Sequence, residues 1–364
     1  MITLDGSYGE GGGALVRTAL ALSALTGQEF TVTNIRKTRP EPGLKAQHLE
    51  AINALKQICH AETNDIELGS TELWFKPGKI KKGRYSIDIG TAGSISLLLQ
   101  SLLLPCMFAP GKVTLQITGG TCGKWQASVD YLQHVLLPQL DRFVEKIDLK
   151  IIKRGYYPAG GGTIQLEITP RYAIDQYESL LALREELPRT VPKINLTRQG
   201  ILEQIRGVVN LSVELEEKEV GERTMHAAET ALRKYKVPIN IRVEYVKALS
   251  IGGDFMLWAL HSKEGRMDPD NPVILAGDAL LEKQKSAEHV GKEAAANLQK
   301  ELEGGYGVDM HLADQLILYM ALLPGSMISV REISNHVQSN MYVAEQFVPI
   351  AFRTEKNRIT SEFK

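Results

Sequence analysis

Apolar residues recur along this chain in two rhythms, and the order of the rhythms repeats. A short strand over residues 1–4 leads through a glycine turn into an apolar helical run, 14–26, closed by Gly27. Residues 30–33 alternate as a strand should. A helix follows from about Leu44 to Ile58, and two short strands are predicted at 65–68 and 72–75. The order βαβαββ then recurs: a strand at 85–89, a turn at 90–93, an apolar helix at 94–108, and a strand at 113–118. A helix is predicted over 126–144 from the spacing of Val129, Leu132, Val135, Leu136 and Leu140, and closing strands over 149–152 and 163–168.

A third copy is split. Residues 194–197 read as its first strand, and its remainder returns only as a helix at 311–323, a strand at 327–330 and a helix at 336–347. Between them lie strands at 208–215, 239–246, 255–259 and 273–276, a highly charged helix at 219–235 and a second helix at 287–302. The pattern predicts an α/β (α+β) chain of two domains: a three-repeat body from 1–184 and 305–364, and an inserted α/β domain from 185–304.

Composition narrows the picture. Lys+Arg number 42 and Asp+Glu 43, a net charge of -1, which excludes a bulk polyanion binder and leaves room for a local basic pocket. Cys59, Cys106 and Cys122 lack metal-site spacing. The N-terminus does not read as a signal peptide, and the longest apolar stretch, 97–108, is interrupted by Gln100, Ser101 and Pro105, too short to span a bilayer. A soluble, cytoplasmic protein with no membrane partner is the expectation.

Two glycine-rich segments carry the candidate chemistry. Gly9-Glu10-Gly11-Gly12-Gly13 feeds directly into a helix. Such a turn is either simply tight or an anion site, where amide N–H groups meet phosphate and an acid such as Glu10 holds Mg²⁺. No Gly-Lys-Ser/Thr follows, so it is not a P-loop. Arg17 stands one helical turn on. Arg36 and Arg39 occupy a loop after the second strand, followed by Lys45, Gln47 and His48 at a helix start. That loop is either a solvated basic segment or an anion fork, and the strand order would bring it to the same edge as the glycine turn.

The second segment, Arg154-Gly155-Tyr156-Tyr157-Pro158-Ala159-Gly160-Gly161-Gly162, allows close backbone approach to a ligand or to another strand. Among the histidines, His134, His226 and His289 fall on helices and read as surface residues. His336 follows Ser334 and Asn335, so it sits in a capped first helical turn, either as a surface residue or as a neutral nucleophile beside an anion. Asp314 and Gln315 are polar positions in an apolar helix and face either a ligand or water.

Taken together, the motifs resemble the RNA 3'-terminal phosphate cyclase family over essentially the full length. Residues 154–164 (RGYYPAGGGTI) match its signature, and 4–13 its LDGxxGEGGG turn. Residues 35–48 are similar to its IRxxRxxPGLxxQH segment, 312–316 to its LADQL motif, and 334–340 to the segment bearing its nucleophilic histidine.

The resemblance implies an ATP-dependent ligase that converts an RNA 3'-terminal phosphate to a 2',3'-cyclic phosphodiester through a histidine–AMP intermediate and an adenylylated RNA end. It assigns His336 as nucleophile, and Glu10 to Mg²⁺ or Mn²⁺ and the triphosphate. Arg17, Arg36, Arg39 and Gln47 fall to phosphate, and Asp314 and Gln315 to the nucleotide pocket. It implies three βαβαββ repeats resembling the C-terminal domain of a translation initiation factor, with a small thioredoxin-like insert in the third, and RNA 3'-phosphate ends and ATP as partners. A homo-oligomer is compatible with it. The chain departs from the family where His311 replaces a tyrosine and where the loop 121–130 lacks prolines; Trp125 offers a stacking face there. A non-catalytic ribosome-assembly relative and an enolpyruvyl transferase are the competing readings. The first is disfavoured by His336 and the phosphate set, the second by the 154–162 signature.

Overall fold

A computed structural model describes residues 1–9 and 11–364. The first unit consists of β1 (Ile2–Asp5), α1 (Ala14–Thr26), β2 (Phe30–Thr33), α2 (Ala46–Cys59), β3 (Glu62–Thr63) and β4 (Leu73–Lys76). Gly27 closes α1 with φ +72°, donating its N–H to the Ser23 carbonyl, and twelve of its thirteen residues are buried. The predicted strand at 65–68 is absent. The chain turns there instead, with Gly69 N–H bonded to the Leu44 carbonyl and Leu44 N–H to that of Ser70, while a two-residue strand forms earlier, at 62–63.

The second unit contains β5 (Gly83–Asp88), α3 (Ile95–Met107), β6 (Val113–Gly119), α4 (Val129–Tyr131), a π-helical turn at 132–136, α5 (Leu137–Leu140), β7 (Val144–Lys153) and β8 (Gly162–Pro170). The helix expected over 126–144 starts late and is not uniform. Ser128 caps it by accepting the Tyr131 N–H, and Pro138 brings no N–H to the ladder just beyond the widened turn.

Then come α6 (Leu180–Thr190), β9 (Asn195–Leu196), β10 (Ile201–Ser212), α7 (Val220–Leu232), β11 (Ile239–Val246), β12 (Gly253–Ser262), β13 (Ile274–Leu280) and α8 (Ala287–Gly304). The chain finishes with α9 (Met310–Leu322), β14 (Met327–Ser329), α10 (Asn335–Phe347), β15 (Ile350–Glu355) and β16 (Arg358–Phe363). Helix α6 and the final hairpin have no counterpart in the predicted elements; both carry many charged, exposed positions that blur the periodicity.

The described residues form four four-stranded sheets. Three share one order, β1-β2-β4-β3, β5-β6-β8-β7 and β9-β14-β16-β15, each with its first two strands parallel. The fourth, β11-β10-β12-β13, has its own core of residues between 205 and 302, including Val209, Phe255, Leu257 and Leu298. Helices join the first three sheets into one large core: α2 packs on α3, the 132–136 turn on α9, and α10 on α1. No helix among the described residues is long and apolar enough to cross a membrane.

Candidate active site

Parallel pairing of β1 with β2 sends the segments that begin at Gly6 and at Asn34 off the same sheet edge. The seam between α10 and α1 closes over them. Tyr8 stacks on Tyr342 of α10 with ring centroids 4.1 Å apart, and Thr18 of α1 donates to Asn340 of α10 at 2.7 Å. Gly9, at φ +64°, lies so close to α10 that a Cβ there would stand 2.6 Å from Ser339 Oγ.

The glycine turn touches the expected chemistry at each step. A Cβ on Gly12 would lie 3.3 Å from Arg39 Nη2 and 3.8 Å from His336 Cε1. His336 occupies the first turn of α10, where Ser334 caps the helix by accepting the Val337 N–H. At Gly13 a Cβ would collide with His48 and stand 2.9 Å from Arg17 Nη1. Only a chain without side chains passes between these groups. Glu10 lies outside the described residues.

Arg17 is buried, donates from Nε to Gln100 at 2.7 Å, and has its pKa lowered to about 10, chiefly by burial. It remains a cation. The His48 ring is pushed down to about 3 by burial and by the Arg17 charge, so it is neutral. His48 Nδ1 accepts the Lys45 N–H at 3.0 Å, which assigns the ring proton to Nε2. Arg17 Nη1 stands 3.5 Å from that nitrogen, so two N–H groups face one another beside Gly13. Donors converging in this way call for a shared acceptor, and an anion supplies one. Arg36, at φ +55°, is half-buried, and its Nε finds no acceptor among the described residues; burial and Arg39 both lower its pKa.

A narrow cavity of about 20 Å³ adjoins this cluster, lined by Thr18, Gln100, Asp314, Gln315, Asn340 and neighbouring apolar residues. Asp314 Oδ1 and Gln315 Oε1 find no donor among the described residues. Burial raises the Asp314 pKa to about 7 against the pull of His311 and Arg17. The volume suits one water and not a purine ring, so these two side chains can meet only the edge of a larger ligand. His311 sits edge-on to Tyr131 at 5.7 Å; its surroundings disfavour charge, yet Asp278, Asp309, Asp314 and Glu301 raise its pKa.

Of the residues singled out in the sequence, the structure gathers Arg17, Arg39 and His336 around Gly12 and Gly13, with Asp314 and Gln315 at the adjoining cavity. Gln47 is half-buried in the first turn of α2, but it is His48, one residue on, that meets Gly13. Gln100, Thr18 and Asn340 carry no assignment in the sequence reading. Gln100 had left a trace as the polar break in the apolar run 97–108.

The 154–162 segment does other work. Arg154 is buried and ion-paired with Asp130, with a second bond at 3.0 Å, and it reaches Glu244 of β11 at 2.9 Å. Burial opposes that charge, but Asp130 outweighs it and raises the Arg154 pKa. Tyr156 donates to Asn210 of β10 at 2.9 Å, and Asn210 donates to Asp254 of β12 at 2.6 Å. A cis bond joins Tyr157 to Pro158, and Gly160 lies against Thr91 and Ala92. The segment therefore ties the second sheet to the fourth. His134, expected at the surface, is half-buried and stacked at 4.2 Å on Trp258 of β12, which packs across the same boundary. Trp125 is 95% exposed.

Residues 8–354 match the family model described as RNA 3'-terminal phosphate cyclase. Proteins bearing that name are similar along nearly their whole length. The one from Methanosarcina barkeri is 41% identical over 356 residues, covering 98% of this chain and 97% of its own. That from Pyrococcus abyssi is 40% identical, covering 97% and 94%, and that from Archaeoglobus fulgidus 38%, covering 99% of each.

Proposed function

The chain belongs to the RNA 3'-terminal phosphate cyclase family, a family of ligase-type enzymes, and from that premise we propose that it closes RNA 3'-terminal phosphates into 2',3'-cyclic phosphodiesters at the expense of ATP. The observation that carries the reading is the convergence of His336, Arg39, Arg17 and His48 on Gly12 and Gly13.

In the first step the His336 imidazole attacks the α-phosphorus of ATP. A nitrogen–phosphorus bond forms and pyrophosphate leaves. The Arg17, Arg36 and Arg39 guanidinium groups, with the His48 N–H, neutralise the charge that accumulates on the departing phosphates. Gln47 falls to the same phosphates, and the Asp314 and Gln315 side-chain oxygens accept hydrogen bonds from hydroxyl or amine groups of the nucleoside. AMP then passes to an oxygen of the RNA 3'-phosphate. Finally the neighbouring ribose 2'-OH attacks that phosphorus, loses its proton and displaces AMP. Adenylylation is needed because a phosphate monoester lacks a good leaving group. ATP arrives at such sites with Mg²⁺ or Mn²⁺, most of whose ligands come from phosphate and water; Glu10 is the protein ligand proposed, and no step above is routed through the ion.

We further read residues 1–184 and 305–364 as the reacting body of three βαβαββ units, and 185–304 as a thioredoxin-like insert. The shared order of three sheets and the separate core of the fourth support this.

Incubation with α-labelled ATP tests the central step. Wild type acquires an acid-labile label that RNA ending in a 3'-phosphate discharges, whereas His336→Ala, folded to the same extent, acquires none. Label retained on the variant would remove His336 from the mechanism, and no label on either protein would favour a non-catalytic relative.

A further inference from the structure

A second concavity, of about 520 Å³, lies between two sheet edges. Its lining includes Lys153 and Arg154 at the end of β7, and Arg242, Glu244 and Lys247 on and after β11. β7 is the outer strand of the second sheet, and β11 that of the fourth. Four cations and one carboxylate line it, in a chain whose net charge is -1; Arg154 is already paired with buried Asp130 and Arg242 with Glu244, so the cations left to meet phosphate are Lys153 and Lys247. Glu244 is moreover occupied by both Arg154 and Arg242.

Lysines on sheet edges ordinarily prevent strand pairing, and a single edge would need no other account. Here two edges from different sheets turn their cations into one hollow, and large side chains stand exposed in the adjoining segments. Ile152, in the lining, is 60% exposed and Tyr157 80%, while Leu249, which covers Gly161, is 63% exposed. A basic trough with flat or apolar side chains in the adjoining segments is the composition that holds a single-stranded nucleic acid by its phosphates.

We propose that this hollow binds the RNA strand upstream of its reacting end, by internal phosphates and without regard to sequence. The proposal rests on the RNA reading above but concerns different residues. The groove sets affinity for long RNA and leaves the chemistry untouched.

The test uses the full chain with Lys153→Ala and Lys247→Ala together, both exposed and outside the reacting cluster. Binding of a 20-nucleotide RNA with a 3'-hydroxyl, which cannot be cyclised, is followed by fluorescence anisotropy across salt concentrations. Each lost phosphate contact should flatten the log–log salt slope by about 0.7, or about 1.4 for two, corresponding to roughly 25-fold weaker binding near 0.1 M salt. Adenylylation by ATP alone should be unchanged, and KM should rise for a 20-mer 3'-phosphate but not for a 3'-phosphorylated dinucleotide.

Because the binding arm needs no turnover, weaker binding with a flatter slope sustains the groove even if no cyclisation is found. Unchanged binding and slope overturn it even if cyclisation is robust. An equal KM rise for the dinucleotide also overturns it, as does tighter binding of poly-glutamate than of RNA, which would make the hollow a site for an acidic polypeptide.

Discussion

Arg154→Ala separates a structural role for the glycine-rich signature from a catalytic one. The substitution removes the cation paired with Asp130, a side chain with no exposed surface. Breaking a buried pair by deleting one partner costs about 3–5 kcal/mol, because the remaining charge keeps its desolvation penalty. An unfolding entropy of about 2.1 cal/mol/K per residue gives a chain of 364 residues roughly 0.8 kcal/mol/K. The expected fall in melting temperature is therefore about 4–6 °C if the chain unfolds as one unit. Adding Asp130→Asn removes the stranded carboxylate and should restore more than half of the loss, so that the cycle is strongly non-additive. Scanning calorimetry supplies the melting temperatures, and adenylylation well below them supplies activity, which should stay within about twofold of wild type. Lost adenylylation with an unchanged melting temperature and no rescue by Asp130→Asn would refute the structural account and make Arg154 part of the reaction.

Three further outcomes follow from the geometry. Gly13→Ala places a methyl against His48 and Arg17, and should raise the KM for ATP at least tenfold while costing about 1–3 kcal/mol by overpacking; an unchanged KM would show that the turn does not hold the triphosphate. Burial raises the pKa of Asp314 to about 7 in the folded chain, against an ordinary aspartate value of about 3.9. The unfolded chain therefore releases that proton first, and stability falls as pH rises from about 4 to 7, by at most about 4 kcal/mol. Urea midpoints at pH 5 and pH 8 should show a smaller fall in Asp314→Asn than in wild type, the remainder coming from other buried acids such as Asp254, whose pKa burial also raises to about 7; equal pH dependence in both proteins would refute the burial argument. Tyr131→Phe deletes the 2.6 Å bond to Asp309, which caps α9 from a buried position, and should cost about 1–3 kcal/mol in urea unfolding, with no loss if water replaces the hydroxyl.

Much of the fold was legible because its helices are bounded by punctuation. Gly13 and Gly27 delimit α1, and Ser334 announces α10. The strand at 239–246 was legible too, from alternation alone. What escaped was decided by tertiary partners. The 132–136 turn widens within an unbroken apolar pattern, and the final hairpin 350–363 gains its place from pairing with β14 and from burying Ile350 and Ile359 in the shared core, contacts its local sequence does not announce. The site divides in the same way. Arg17 announces itself one helical turn after the glycines, Arg39 in a basic loop after a strand, and His336 by the cap before it. His48 and Gln100 matter only because they meet Arg17 from 31 and 83 residues away, a proximity no local pattern encodes. The signature's glycines serve close approach as well, and of the two partners the sequence left open, a ligand or another strand, the structure supplies another piece of the same chain.

The seam between α10 and α1 also sets a clock. The groups proposed to receive the triphosphate, Arg17, Arg36, Arg39 and Gln47, lie within the first 48 residues, whereas His336, the proposed nucleophile, comes 288 residues later. At a synthesis rate of about 5–20 residues per second, the nucleophile trails the glycine turn out of the ribosome by roughly 15–65 seconds. On the proposed mechanism, a nascent chain that has not reached α10 carries the proposed anion-binding side chains without the group that attacks. Competence to consume ATP thus arrives, on that mechanism, only when α10 docks on α1, so that reactivity reports the docking of this late helix.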